Sequence, residues 1–249
     1  MSTPSSHVHL VPSLDGVRPG STVHVEGDEA HHAVAVRRIR VGEAVALTDG
    51  RGTTATGEVA ATGKRALDVG VVEVWSAPRP EPRLVVVQAL PKGDRGELAV
   101  AVLTEIGVDR IVPWTAERCI ERWKGDRAAK SLARWRSTAR ESAKQARRAW
   151  FPEVAELAST DVVVRLLGEA AVGVVLHEAA TCSLASVEVP NAGEVVVVVG
   201  PEGGLTDAEV ATLSDAGAIP VRMGAEVVRT STAGLAAGAA ILSRTPRWH

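Results

Sequence analysis

The chain has 249 residues, of which 45% are hydrophobic and 23% are charged, as in a folded globular protein with one large domain or two smaller ones. Its 28 Lys and Arg residues nearly balance its 30 Asp and Glu residues, so the net charge of −2 does not by itself indicate a nucleic-acid-binding protein. Two cysteines exclude a disulfide framework or a zinc finger, and the apolar segments are too short for a membrane span or a signal peptide. We therefore expect a cytoplasmic protein without a metal or a membrane anchor.

Residues 1–76 consist of short apolar segments separated by turn residues, a pattern that is typical of a small β-barrel or β-sandwich. The predicted strands cover residues 21–26, 44–48, 55–59 and 67–75. A helical piece over 28–36 interrupts them and is followed by the basic Arg37 and Arg38, which either form a solvated helix end or contact phosphate. The adjacent histidines at 31–32 do not indicate a metal site, because successive helical positions diverge by about 100°.

A proline-rich linker follows this segment. Its three prolines within residues 77–82 predict a stiff connection between a first domain of residues 1–76 and a second of residues 83–249. Beyond the linker, strands and helices alternate, as in a mostly parallel sheet that helices cover on both faces. Strands are expected at 84–90, 110–114, 171–176, 195–199 and 219–223, and helices at 97–106, after the N-cap Thr206, and at 230–242. The second domain is therefore of the α/β class.

Residues 121–150 carry ten of the 28 basic residues and only three acidic ones. From Ala128 the pattern predicts a helix with one apolar stripe. That stripe contains Leu132, Trp135, Ala139, Ala143, Ala146 and Trp150, and a cationic stripe beside it contains Arg136, Arg140, Lys144 and Arg147. A solvated face is the ordinary explanation of a charge run, but a helix with few acidic neighbours favours contact with a nucleic-acid backbone.

The five consecutive valines at 195–199 predict a strand that is buried on both faces. A loop with Gly200, Pro201, Gly203 and Gly204 follows at once. Open α/β sheets bind ligands at the carboxyl ends of their strands, so this loop is a candidate ligand site. The alternative is an ordinary tight turn between a strand and a helix.

Several motifs in order and at consistent spacing resemble the bacterial 16S ribosomal RNA uridine-N3 methyltransferases of the SPOUT class. They are His31 and His32 with Val36, Arg37, Arg38 and Gly42; Lys92 and Gly93 with Glu105, Ile106, Gly107 and Val108; Pro113 with Glu117 and Arg118; Glu141, Gln145, Arg148 and Pro152; Gly200, Pro201, Glu202, Gly203 and Gly204; and Met223 and Gly224 with Val228, Arg229 and Thr230. Ser231 stands where the family usually carries a glutamate.

The resemblance implies a fold, a cofactor and partners. The fold is an N-terminal PUA-like β-barrel followed by a C-terminal α/β SPOUT domain tied in a trefoil knot. The cofactor is S-adenosyl-L-methionine, the substrate is 16S rRNA in the 30S subunit, and the enzyme is a homodimer. The implied cofactor-binding residues are Leu176, His177, Val199, Gly200, Pro201, Gly203, Gly204, Met223, Gly224, Val228, Arg229, Thr230 and Ser231.

The reaction also suggests catalytic and RNA-binding residues. Uracil N3 carries a proton, so the site must remove that proton or stabilise the resulting anion. Arg229, or Arg148 from a second copy, could stabilise the anion, and Glu202 or His177 could accept the proton. Glu202 could equally serve only its own loop, and His177 could simply cap a strand. The implied RNA contacts are Arg37, Arg38, Lys92, Arg118, Arg136, Arg140, Lys144 and Arg147.

Three other functions remain to be distinguished. One is a SPOUT enzyme that methylates another base or a ribose 2′-hydroxyl in rRNA or tRNA. Another is a non-catalytic rRNA-binding assembly factor with the same fold. A nucleotide-dependent enzyme is disfavoured, because no Walker lysine follows the glycine loop and no G-x-G-x-x-G motif is present.

Overall fold

The structure, a computed structural model, describes residues 7–249 and divides into two compact units. The first unit extends to Arg79 and also includes Arg147–Phe151. The second unit comprises Pro80–Ala146 and Pro152–His249. Among the described residues, no helix combines the length and hydropathy that crossing a bilayer requires.

The first unit contains one five-stranded sheet. Its strands are β1 (His7–Leu10), β2 (Thr22–Glu26), β3 (Ala44–Thr48), β4 (Thr53–Thr62) and β5 (Ala66–Ser76), in the order β1-β3-β4-β5-β2. All pairs are antiparallel except β1 with β3. A short helix α1 (Gly27–His31) continues into a π-helical turn (His32–Val36), as the sequence predicts for this stretch. The predicted strands are confirmed, and β4 is longer than predicted, because its pairing with β5 continues on both sides of the register shifts at Thr56/Gly57 and Val59/Ala61.

The segment Arg147–Phe151 differs from the prediction. Helix α3 (Asp126–Gln145) ends before it, and Arg147 has a left-handed φ of 53°. The helical stripe was therefore predicted too long, and Ala146 and Trp150 are not part of the helix. Trp150 instead packs in the first unit, where its Nε1 donates to the carbonyl oxygen of Ala77 at 2.9 Å. A Cβ on Gly52 would lie 2.6 Å from the Trp150 ring, so only glycine leaves room for it.

The second unit contains a seven-stranded sheet in which every pair of neighbouring strands is parallel. Its elements are β6 (Arg83–Ala89), α2 (Arg95–Ile106), β7 (Arg110–Trp114), α3, β8 (Glu153–Val154), α4 (Thr160–Glu169), β9 (Val172–Leu176), β10 (Cys182–Ser183), β11 (Glu194–Val199), α5 (Asp207–Asp215), β12 (Ala218–Arg222) and α6 (Thr230–Leu242). All five predicted strands are present. The prediction missed β8 and β10, which have two residues each, and α4, whose valine run reads equally as a strand.

Strand β11 lies in the centre of this sheet, as the valine run predicts. The strand order is β10-β12-β9-β11-β6-β7-β8, and the five valines of β11 are each no more than 2% exposed. Because β12, β9, β11 and β6 are neighbours and parallel, the loops that follow them meet at one edge of the sheet. This edge is therefore the expected place for a ligand.

Candidate active site

A cavity of about 470 Å³ opens at the carboxyl edge of β9, β11 and β12. Three loops supply most of its lining, and residues after β6 and β7 complete one side. The lining residues are Arg95, Arg118, Leu176, His177, Glu178, Val199, Gly200, Pro201, Glu202, Gly203, Gly204, Leu205, Val221, Arg222, Met223, Gly224, Ala225, Glu226, Val227, Val228, Arg229, Thr230 and Ala233. Its volume lies within the range of about 300–1,000 Å³ that is usual for small-molecule sites.

The structure brings nearly all the predicted cofactor-binding residues together around this cavity. The exception is Ser231, which is 4% exposed in the first turn of α6 and is not among the lining residues. Of the residues proposed for catalysis, Glu202, His177 and Arg229 line the cavity, whereas Arg148 belongs to the segment assigned to the first unit. The prediction did not include Arg95, Glu178, Arg222 or Glu226. The sequence could have indicated them, because each lies near the end of a predicted strand or close to a predicted loop residue.

The glycine loop is held in place by Arg118. The guanidinium Nη1 of Arg118 donates to the carbonyl oxygens of Gly203 and Leu205, each at 3.3 Å. A Cβ on Gly203 would lie 3.2 Å from the Cβ of Arg118 and 3.3 Å from its carbonyl oxygen. Gly204 has a φ of +70°, which glycine adopts without strain. The loop main chain is therefore fixed against the segment after β7, and Arg118 acts first as a support for it.

Helix α5 begins with the predicted N-cap. The hydroxyl of Thr206 accepts from the main-chain N–H of Glu209 at 3.1 Å, and the Glu209 carboxylate accepts from the main-chain N–H of Thr206 at 3.0 Å. These two bonds form a capping box. The other oxygen of the buried Glu209 carboxylate accepts from the main-chain N–H of Glu117 at 2.7 Å. The helix start and the segment after β7 are thereby joined.

Glu202 is connected to the loop after β6. Its Oε1 accepts a hydrogen bond from the main-chain N–H of Lys92 at 3.1 Å. This contact crosses from one loop to another rather than staying within the loop of Glu202 itself. On the opposite side, the main-chain N–H of His177 donates to the carbonyl oxygen of Val221 at 2.9 Å, and the His177 side chain lines the cavity.

A buried amide supports the start of α6. Gln88 is 0% exposed, and its Nε2 donates to the carbonyl oxygens of Ala89 at 3.0 Å and Thr230 at 3.2 Å. Its Oε1 is buried without a hydrogen-bond partner. Because Thr230 lines the cavity, Gln88 links the central sheet to the cavity wall. A single amide in an otherwise apolar strand was a signal that the sequence analysis did not use.

The cationic face of α3 has more acidic partners than its own sequence indicates. Arg136 donates to the Glu156 carboxylate at 2.8 Å and to the carbonyl oxygen of Val154 at 3.1 Å. Arg134 pairs with Glu97 at 3.1 Å. The premise that this helix lacks acidic partners was therefore wrong, because the carboxylates come from other segments.

Two other residues of this stripe differ in exposure. The Lys144 side chain is only 8% exposed and its Nζ lies 2.9 Å from the Glu141 carboxylate. Lys144 is therefore not displayed to a polyanion, and we remove it from the proposed RNA contacts. Arg140 is half-exposed, and its Nε lies 3.9 Å from the same carboxylate.

Arg37 of the first unit contacts two histidines. Arg37 donates from Nη1 to a ring nitrogen of His7 at 3.0 Å and from Nε to Nε2 of His32 at 3.3 Å. Because a guanidinium only donates, both ring nitrogens act as acceptors. Partial burial, followed by the charge of Arg37, lowers the pKa of His7 below its ordinary value. The neighbouring Arg38 is exposed with a φ of 55°.

Comparison with known proteins agrees with this architecture. Residues 78–242 match the RNA methyltransferase domain family, and residues 25–72 match the RNA methyltransferase PUA domain family. The ribosomal RNA small subunit methyltransferase E of Mycobacterium tuberculosis is 45% identical over 233 residues, covering 92% of this chain and 89% of the relative. The protein of the same name from Bacillus subtilis is 29% identical, covering 92% of this chain and 93% of the relative.

Solved structures show the same fold over almost the whole chain. A methyltransferase from Legionella pneumophila in complex with the cofactor SAM has a TM-score of 0.87 at 26% identity and covers 96% of this chain and 98% of its own. The Neisseria gonorrhoeae ribosomal RNA small subunit methyltransferase E bound to S-adenosyl methionine has a TM-score of 0.84 at 28% identity. The match covers 96% of this chain and 97% of the Neisseria chain. The predicted pairing of a PUA-like domain with an α/β methyltransferase domain is confirmed. The chain therefore belongs to the RNA methyltransferase family that contains the ribosomal RNA small subunit methyltransferase E proteins.

Proposed function

We propose that this protein transfers a methyl group from S-adenosyl-L-methionine to N3 of a specific uridine in the 16S rRNA of the small ribosomal subunit. The observation that carries the proposal is the glycine-lined cavity at the carboxyl edge of β11, in a chain of this family. The rRNA substrate follows the names of the relatives, and the N3 position follows the motif resemblance described above. We also propose that the protein works in the cytoplasm, with its substrate.

The residues around the cavity fit this cofactor. Gly200, Gly203 and Gly204 line the cavity without side chains, so the main chain of the glycine loop can approach an adenine edge closely. Leu205 and Met223 supply apolar surface, while Glu178 and Glu226 supply carboxylates that suit ribose hydroxyls and an ammonium group. When bound, the cofactor supplies an electrophilic methyl group on a sulfonium.

The protein's own residues must deal with the proton on uracil N3. Glu202 lines the cavity, and the hydrogen bond from Lys92 to its Oε1 holds the carboxylate in place. We propose that Glu202 or His177 accepts the proton. Arg229, the N-cap residue of α6, is then the cation that stabilises negative charge on O2 and O4, with Arg148 of a second copy as the alternative.

We also propose a homodimer and retain the trefoil knot as a prediction. The outward residues of α6 include Leu235, Ala236, Ala239 and Ala240, and none of them is charged. Leu98 on the neighbouring helix α2 is 49% exposed. Uncharged, exposed helix surface of this kind is typical of a subunit interface. A molecular mass of twice the chain mass by light scattering would support the dimer.

The proposed RNA contacts draw on both units. Arg37, Arg38 and Arg147 belong to the first unit, and Lys92, Arg118, Arg136 and Arg140 belong to the second. Of these, Arg118 and Arg136 also hold main-chain carbonyl groups, so their replacement would disturb local structure as well as RNA affinity. Arg140 is the best position on α3 for a charge-reversal experiment, because its side chain is half-exposed and its contact with Glu141 is long, at 3.9 Å.

The decisive experiment is methyl transfer from labelled S-adenosyl-L-methionine to 30S subunits that lack the modification, with the product mapped by mass spectrometry. We expect one methyl group on N3 of one uridine. A ribose or another base as the product would favour a different specificity. RNA binding without transfer would favour the assembly-factor alternative. Arg229→Ala should reduce the rate at least about tenfold, whereas Arg229→Lys should retain part of it.

A further inference from the structure

The charged residues of the cavity come from loops on both sides of β11. Arg95 follows β6 and Arg118 follows β7, and the carboxylate on that side is that of Glu202, whose Oε1 is already engaged by the main-chain N–H of Lys92. Glu178 follows β9 and Glu226 follows β12, so two carboxylates lie toward the opposite side, together with the cations Arg222 and Arg229. The strand order separates these two groups, because β12 and β9 lie on one side of β11 and β6 and β7 lie on the other.

The two cations on the β6–β7 side have different contacts. The Nη1 of Arg118 donates to the carbonyl oxygens of Gly203 and Leu205. Arg95 is exposed and, within the described part of the chain, has neither a hydrogen bond nor an ion pair. The nearby carboxylate of Glu97 is engaged by Arg134 at 3.1 Å. Arg95 is therefore a guanidinium that faces the cavity without a protein partner.

The position of Arg95 is not explained by helix stability. It is the first residue of α2, and a cation at the amino end of a helix is opposed by the helix dipole, typically by about 0.3–1 kcal/mol. The loop before it is nonetheless held toward the glycine loop, because the main-chain N–H of Lys92 donates to Glu202. Asp94, which precedes Arg95, lines a separate small cavity of about 120 Å³. The loop thus directs a cation, and not its acidic neighbour, toward the main cavity.

We propose that Arg95 binds an RNA phosphate next to the target nucleotide, so that RNA enters from the β6–β7 side while the methyl donor occupies the β9–β12 side. This assignment rests on the proposed function. The methyl donor carries a sulfonium, which the carboxylates of Glu178 and Glu226 attract and the guanidinium of Arg95 repels. A phosphate is instead attracted by the guanidinium of Arg95 and repelled by these two carboxylates. A guanidinium can bind a phosphate through two parallel hydrogen bonds.

The test compares Arg95→Gln, which removes the charge, with Arg95→Lys, which keeps it. The matched control is Arg165→Gln, because Arg165 is exposed on α4 and does not line the cavity. Affinity for S-adenosyl-L-methionine is measured by calorimetry, and affinity for 16S rRNA is measured at several KCl concentrations. We expect Arg95→Gln to leave cofactor affinity within twofold and to weaken RNA affinity about tenfold, with a salt slope smaller by about 0.7–0.9. Arg95→Lys should keep the slope of the wild type, and the control should change neither quantity.

Three results would overturn the assignment. The first is that Arg95→Gln loses cofactor affinity while the salt dependence of its RNA affinity stays unchanged. The second is that Arg95→Gln changes neither cofactor affinity nor the salt dependence of RNA affinity. The third is that rRNA binding by the wild type does not depend on salt. The binding measurement requires no methyl transfer. A wild-type protein that transfers no methyl group would refute the proposed reaction, while a reduced slope in Arg95→Gln would still support the phosphate contact.

Discussion

The side-chain Nε2 of Gln88 donates a hydrogen bond to the carbonyl oxygen of Thr230 at 3.2 Å, which joins positions 142 residues apart. Gln88 lies in β6 beside Val199 of β11, and Thr230 is the first residue of α6. The bond therefore connects the central sheet to the helix whose start forms part of the cavity wall. A fully buried amide with one unpartnered oxygen is unfavourable for stability alone, so its position suggests a role at the site.

Replacing Gln88 should affect cofactor binding more than folding. We expect Gln88→Leu to lower the affinity for S-adenosyl-L-methionine about fivefold, because the carbonyl of Thr230 loses its donor and the start of α6 loses its anchor. The free energy of unfolding should change by no more than about 1–2 kcal/mol, since the lost hydrogen bonds are partly offset by removal of the unpartnered oxygen. Calorimetry and urea unfolding measure the two quantities. The exposed Gln145, at the end of α3, provides the control Gln145→Leu, and equal cofactor affinity in all three proteins would contradict the prediction.

A side chain at Gly203 should displace the glycine loop. A Cβ there would meet Arg118 at 3.2 Å, and the larger valine side chain would compete with the guanidinium that holds the loop. We expect Gly203→Val to weaken cofactor affinity at least about tenfold. Gly168→Val is the matched control, because a Cβ at Gly168 meets nothing within 4 Å. If the folded Gly203→Val protein binds the cofactor as the wild type does, the glycine loop is not part of the site.

The buried ion pair between Asp109 and Arg247 should contribute strongly to the stability of the second unit. Arg247 Nη1 lies 2.6 Å from Asp109 Oδ2, and the two side chains are only 10% and 7% exposed. The same carboxylate oxygen accepts from the main-chain N–H of Leu84 at 2.8 Å. We expect Arg247→Ala to lower the free energy of unfolding by about 3–5 kcal/mol, because it leaves a buried carboxylate without its cation.

Urea unfolding tests this prediction against an exposed pair. Arg110 and Glu153 approach to 3.5 Å with side chains 27% and 57% exposed, and Glu153→Ala should cost less than about 1 kcal/mol. Similar losses for the two variants would show that burial does not set the strength of the first pair.

His24 should make the stability of the first unit depend on pH. Hydrogen bonds to Asp68, which faces it on β5, and then to Glu26 raise the pKa of His24 above its ordinary value of 6.5. A raised folded-state pKa contributes stability that is fully present below the unfolded pKa and is lost as the pH rises through the folded pKa. The urea midpoint of the wild type should therefore fall as pH rises above about 6.5, and His24→Gln should remove this part of the dependence.

His7 should show the opposite dependence. Its pKa is lowered, first by burial and then by the charge of Arg37, so its neutral form is favoured in the folded protein. The corresponding stability is present above the unfolded pKa of 6.5 and is lost as the pH falls through the folded pKa. His7→Gln should flatten the acidic side of the profile and leave the alkaline side unchanged. NMR titration would contradict the prediction for His24 if its pKa were not raised, and the prediction for His7 if its pKa were not lowered.

The local features of this chain could be predicted from sequence. The valine run specifies a strand buried on both faces, since no polar side chain is available for a solvent-facing side. Thr206 and Glu209 specify their own capping box, because the two partners are three residues apart. The ordered motifs led to the family, and the glycine loop led to the cavity. Each of these inferences depends on residues that are close together in the chain or on the pattern of one segment.

The tertiary structure alone decided which distant groups meet. Arg136 and Lys144 have the same place in the sequence pattern as the half-exposed Arg140, yet Arg136 meets Glu156 and Lys144 is buried. Glu202 meets the main chain of Lys92, 110 residues earlier. Sequence reasoning could not predict these contacts, because the free energy of a charged or polar side chain depends on burial and on partners from other strands and loops. Strand order, which no single segment encodes, brings those partners together.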